Sequence, residues 1–200
     1  MQTETSQSIT NADIAAALTY QEYRDLIDRL MLVGRTTGES QSEAMKHFAK
    51  MNISRMKKWD KIFKVSEEAK TTMESIKTTQ TWVILTEGWC GDAAQNIPVI
   101  MKLAEINSLI QVRFLLRDEN LPIMDQFLTN GGRSIPKLIA LDSNSLSPIF
   151  DWGPRPARAQ ELFLERKAKG LDYAEPLHAW YAKDKGMQVE QELIRLLANK

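Results

Sequence analysis

The chain has 200 residues, with Lys plus Arg and Asp plus Glu each totalling 26, so its formal net charge is zero. That balance argues against a general nucleic-acid binder, which would carry a marked basic excess, and no apolar run approaches the length of a membrane span. A hydrophobic fraction of 43% with 26% charged residues is ordinary for a soluble globular protein, enough for one well-buried domain or a smaller core with substantial additions.

The polar N-terminus has neither a basic n-region nor an apolar core, so no secretory signal is expected and a cytoplasmic location is the default. Residues 1 to about 12 lack a periodic pattern and are expected to be a mobile tail. Tyr23, Leu26, Ile27, Leu30 and Met31 recur at helical spacing, which predicts a helix over residues 20–33 ended by Gly34. Ser40, with Glu43 three residues later, has the pattern of a capping box. From there Met45, Phe48, Asn52, Met56, Trp59 and Phe63 predict a long helix to about Lys61. Its basic residues, Arg55, Lys57, Lys58, Lys61 and Lys64, are expected to form a solvated face in preference to an anion site. Ser66 and the two acids after it open a third helix that runs to about Lys77.

A β-branched and aromatic run over residues 82–86 predicts a strand that stops at Gly88. The only cysteine, Cys90, follows at the mouth of a helical pattern with Ile97, Ile100, Met101 and Ala104 on one face, running to about Asn107. Residues 111–116 predict a short strand, and residues 121–128 a brief helix ended by Asn130, Gly131 and Gly132. Residues 136–141 and 147–152, joined by a turn at residues 142–145, predict an antiparallel hairpin. Gly153, Pro154, Arg155 and Pro156 break the chain before a helix over residues 157–169 with Leu162 and Phe163 inward. Residues 171–200 predict one bent or two consecutive amphipathic helices, with the break at Gly186. There are no internal repeats.

The order strand, tight turn, cysteine, helix has chemical meaning. A thiol in the first turn of a helix meets unpaired N–H groups and the positive end of the macrodipole, so it ionises more easily there, and the thiolate is the nucleophile. The competing reading is a buried cysteine acting as a small hydrophobe. A lone cysteine forms no intramolecular disulfide and suits a reducing compartment. His47 and His178 are far apart in sequence, and no Cys pair, His-Glu-x-x-His arrangement or phosphate loop is present. Neither a metal site nor a cofactor is expected.

Trp89-Cys90-Gly91-Asp92-Ala93 resembles the Trp-Cys-Gly-Pro-Cys site of thioredoxins. Pro98 stands where that family keeps a proline that kinks the helix, and Arg133-Ser134-Ile135-Pro136 before an apolar strand resembles its Arg-Gly-Ile-Pro segment. Over about residues 80–170 the chain is thus similar to bacterial thioredoxin-family proteins, with a single-cysteine site. The resemblance implies an α/β thioredoxin-like fold, a central four- or five-stranded mixed sheet flanked by helices. The thioredoxin-like domain would occupy residues 79–170, with a helical N-terminal extension (1–78) packed on the core and a helical C-terminal extension (171–200). It implies that the helix over residues 157–169 closes the fold against the sheet.

For the site, the resemblance implies Cys90 as nucleophile, Trp89 bordering it, and the Gly91, Asp92 and Ala93 backbone around the thiolate. Ile135 and a cis Pro136 would hold a substrate strand beside the sulfur, and Arg133 would add positive potential. Nothing in it places a histidine near Cys90. The departures are the loss of the second cysteine at Ala93 and of the family's buried aspartate at Ile84. Asp92 replaces a proline, close enough to oppose ionisation, although its simplest reading is a first-turn acid complementing the dipole. Two functions follow: monothiol disulfide exchange resolved by an external thiol, or a redox-inactive binding or scaffold module. The expected partner is a protein disulfide or a low-molecular-weight thiol, without nucleic acid or membrane, and the helical extensions leave a homo-oligomer open.

Overall fold

The strand-forming run at Thr81 to Leu85 is buried on both faces, as β-branched and aromatic segments in the middle of a sheet are. In the computed structural model, which describes residues 9–198, it forms β1 (Gln80–Thr86). The other strands are β2 (Ile110–Leu116), β3 (Lys137–Asp142) and β4 (Pro148–Trp152). Among the described residues the sheet is four-stranded, in the order β2-β1-β3-β4. β1 lies parallel to β2 and antiparallel to β3, and β3 is antiparallel to β4. A parallel pair cannot be joined by a tight turn. The link from β1 to β2 is therefore a crossover helix, α5 (Gly91–Ala104), and Cys90 stands where the sheet hands over to it.

One short helix, α1 (Asn11–Ala16), precedes the helix expected from the periodicity over residues 20–33, which is α2 (Tyr20–Leu32). α1 is closed by a capping box of Thr10 and Asp13, and α2 by one of Thr19 and Glu22. The expected mobile tail is corrected from residue 9 onward, because Ile9 is fully buried; residues 1–8 lie outside the described part of the chain. α3 (Glu43–Ile62) begins at Ser42, whose side chain accepts from the Met45 amide, and not at the Ser40 box. α4 (Glu67–Ser75) starts at its Ser66 cap. After β2, a 3-10 turn (Arg117–Glu119) and a single helical turn, α6 (Leu121–Met124), replace the longer helix expected there. α7 (Ala157–Ala168), α8 (Ala174–Asp184) and α9 (Met187–Ala198) complete the chain.

Tyr23, Ile27, Met56 and Met73 from the N-terminal helices, Trp82, Ile84 and Leu85 from β1, Ile97 and Ile100 from α5, and Val189 and Leu193 from α9 form one buried cluster. A smaller, separate cluster joins Ala159, Leu177 and Tyr181, with Leu162, Phe163 and Trp180 packed around it. The helix expected to close the sheet is thus corrected: α7 packs on α8, and α9 lies against α4 and α5. Gly186 makes this possible. Its φ is +82°, and a Cβ there would lie 2.8 Å from Val99 and 3.1 Å from Phe63, so the chain turns sharply in tight contact with α3's end and α5. At the other end of the fold, Leu18 exchanges two backbone hydrogen bonds with Phe114 of β2, at 2.9 and 2.8 Å.

Candidate thiol site

The loop between β1 and α5 is held from both sides. The Cys90 amide donates to the Glu87 carbonyl at 3.0 Å, closing a tight turn. Asn52, a fully buried polar residue in the apolar stripe of α3, donates its side-chain amide to the Gly88 carbonyl at 3.0 Å. The Gly88 amide in turn donates to the Thr37 hydroxyl at 2.7 Å. The Gly88 amide and carbonyl and the Cys90 amide thus find partners within the protein, as buried backbone groups require.

Cys90 is the N-cap of α5, its sulfur accepting from the Ala93 amide at 3.4 Å. The thiol donates to the Ile135 carbonyl at 3.3 Å, and the Ile135–Pro136 peptide bond is cis. Cys90, Ala93, Ile135 and Pro136 are therefore gathered at one point, with Gly91 and Asp92 on its rim. Trp89 is half-buried beside them, with the Arg117 guanidinium 5.1 Å from its ring centre.

The electrostatics reverse the expectation from helix position. Cys90 is only 7% exposed, and burial followed by the negative charge of Asp92 pushes its thiol up to about 12, against the smaller pull of the Ala93 amide and Arg155. At neutral pH the resting sulfur is a protonated donor. Asp92 is also more than a first-turn acid. Its carboxylate pairs with Arg155 at 2.7 Å and accepts from the Tyr181 hydroxyl at 2.8 Å, while burial raises its own pKa. Arg133 does not lend its charge to the site, because it forms two hydrogen bonds with Asp125, at 2.6 and 2.8 Å, on the exposed surface.

Several site residues were not visible as such in the sequence. His178 of α8 meets Arg55 of α3 at 3.0 Å, and a Cβ on Gly91 would sit 3.7 Å from His178 and 3.8 Å from Arg55. Burial and the Arg55 charge lower the His178 pKa, so its imidazole stays neutral. Arg55 thus leaves the solvated face expected for the basic run, while Lys57, Lys58, Lys61 and Lys64 are exposed as expected. Asn52 carried a signal, a polar residue at a core-facing position. Tyr181 and His178 carried none, since only the tertiary fold brings α8 to the thiol helix.

Below the loop lies a carboxyl with a separate role. Glu87 is fully buried, and one of its oxygens accepts from the Asp118 amide at 3.0 Å. Burial raises its pKa. A carboxyl whose folded pKa exceeds its unfolded value contributes stability below the ordinary carboxylate range, and that contribution is lost as pH rises through the folded value. A Glu87→Gln variant is therefore expected to lose this part of the pH dependence and to be more stable than wild type at neutral pH. Urea denaturation curves collected from pH 4 to pH 8 check it, and parallel pH profiles for the two proteins would contradict it.

No group of three or more His, Cys, Asp or Glu side chains placed to hold a metal occurs among the described residues. No helix among them is long and apolar enough to cross a membrane. A family model described as Thioredoxin matches residues 38–170, more than half of the chain. No curated protein matches it. Among solved structures, an HIV epitope scaffold is similar over 92% of this chain and 99% of its own, with a TM-score of 0.58 and 12% identity. A Pseudomonas aeruginosa protein of unknown function is similar over 91% of this chain and 98% of its own, with a TM-score of 0.54 and 15% identity. At such identities these structures establish the shared fold alone.

Proposed function

This chain belongs to the thioredoxin family, and on that premise we propose that it performs monothiol disulfide exchange through Cys90. Once exposed, the thiol gives its proton to solvent base and the thiolate attacks one sulfur of a partner's disulfide. A Cys90–partner disulfide forms, the partner's own S–S bond breaks, and the departing sulfur leaves as a thiolate that is then protonated. With Ala93 in place of a second cysteine, nothing in this chain can resolve the mixed disulfide. A low-molecular-weight thiol does so by attacking the partner's sulfur: its own sulfur joins the partner in a new disulfide, and Cys90 departs as thiolate. A reducing cytoplasm would supply that thiol.

The observation that carries the reading is the sulfur at the start of α5, 3.3 Å from the carbonyl that precedes Pro136. A substrate strand laid along Ile135 would take over hydrogen bonding there and place its disulfide against Cys90. To test it, reduced protein is mixed with bis(2-hydroxyethyl) disulfide and weighed by mass spectrometry. One adduct on Cys90, discharged by added glutathione, is expected. Its rate of formation should climb without a plateau from about pH 7 to about pH 10, because the thiol is pushed up to about 12. An absence of adduct at any pH in that range would end the proposal.

A second reading, a redox-inactive partner-binding module, is favoured by the burial of Cys90 and by Ala93. On that reading a Cys90→Ser variant keeps its biological role in cells, whereas exchange chemistry requires the role to vanish.

A further inference from the structure

We infer that the hairpin of α7 and α8 is a lid over the thiol site, held shut by a polar latch on the first turns of α5. The inference concerns access to the exchange site proposed above, and it is tested by a measurement that needs no exchange to occur. The latch is made of hydrogen bonds between the lid and the residues that follow Cys90. Tyr181 donates to Asp92 at 2.8 Å, and Arg155, on the segment leading into α7, pairs with the same carboxylate at 2.7 Å. Asn96 donates to the Tyr181 hydroxyl at 3.3 Å and to the Pro154 carbonyl at 3.1 Å. His178 reaches across Gly91 to Arg55 at 3.0 Å.

Three features make this a contact that opens. The apolar interior of the hairpin is its own: Ala159, Leu177 and Tyr181 with Leu162, Phe163 and Trp180 form a cluster distinct from the main core. Lifting the hairpin therefore exposes little of the area that stabilises the sheet. The latch is also imperfectly satisfied, since Asn96 Oδ1, Arg155 Nε and His178 Nδ1 are buried without a hydrogen-bond partner. Buried polar groups are normally paired, and each orphan raises the free energy of the closed form relative to one in which water reaches it. Finally, the hairpin lies between two anchored bends. Gly153, with φ of +119°, is pressed against the Pro136 carbonyl, and Gly186, with φ of +82°, against Val99 and Phe63. The bends stay fixed to the core while the segment between them carries Tyr181 and His178 away from Asp92 and Gly91.

The test is alkylation of Cys90 by iodoacetamide in the folded full-length protein, followed by mass spectrometry. Wild type is expected to label through a local opening, at a rate that low urea concentrations hardly change. Tyr181→Phe, which removes only the latch hydroxyl, is expected to label about tenfold faster with little change in melting temperature. Labelling that follows global unfolding in urea, or a Tyr181→Phe rate equal to wild type, would overturn the lid. Should that variant fold poorly, hydrogen exchange of the wild-type protein decides. Amides of α8 must open at a lower free energy than those of β1, and equal protection overturns the inference. Ready alkylation without a mixed disulfide would leave the lid standing and remove the exchange reaction.

Discussion

A Gly153→Ala variant is expected to lose about 3 kcal/mol or more of stability, a combination of backbone strain and overpacking. The added Cβ would lie 2.2 Å from the Pro136 carbonyl oxygen and 3.2 Å from its carbon. These are main-chain atoms that no rotamer change moves aside. The φ of +119° is strained for any side-chain-bearing residue as well. Gly131 is the internal control: its φ is +74°, but nothing lies within 4 Å of a Cβ there, so Gly131→Ala should cost only about 1 kcal/mol. Urea denaturation of the two variants separates clash from strain, and equal losses would contradict the packing argument. Because Gly153 bears directly on Pro136, its replacement should also shift the Ile135 carbonyl away from the sulfur. Faster alkylation of Cys90 in whatever fraction stays folded would report that shift.

Cys90→Ser is expected to abolish disulfide exchange, by more than a thousandfold, with stability within about 1 kcal/mol of wild type. The fold should tolerate the change because both contacts of the sulfur suit a hydroxyl. Serine at an N-cap accepts the Ala93 amide well, and its O–H replaces the thiol as donor to the Ile135 carbonyl. A hydroxyl does not form a disulfide, so the chemistry is lost while the architecture stays. Retained adduct formation would place the reaction on no residue of this chain, since Cys90 is its only cysteine. A large fall in melting temperature would instead assign the sulfur a packing role.

The parts of the molecule that were legible in the sequence are those decided by neighbours along the chain. The run from Trp82 to Thr86, stopped at Gly88, marked β1, and Ser66 with the acids after it marked α4. Gly186 marked the break between α8 and α9. Local signals also misled where two candidates competed: Ser40 had the better capping pattern, yet Ser42 makes the hydrogen bond. The six-residue α1 is too short for its apolar period to show, although the Thr10–Asp13 pair was there to be found. The site itself divides in the same way. Trp89, Cys90 and Pro136 were recognisable from the residues around them. The protonated state of the thiol was not, because position at a helix start is local and burial is not. Desolvation, with Asp92 beside it, outweighs the helix end. His178 and Tyr181 come from a helix whose own pattern announces only its small apolar cluster.

The two hydrogen bonds between Leu18 and Phe114 bear on self-association. β2 is the outermost strand on its side of the sheet, and an uncovered margin of this kind is a template on which another extended chain can add. The stretch between α1 and α2 occupies the middle of that template, so a would-be fibril cannot seed there without first evicting it. Shortening the protein to begin after α2 would leave the Phe114 amide and carbonyl bare on that margin, and runaway strand stacking is expected to become easier in the shortened chain.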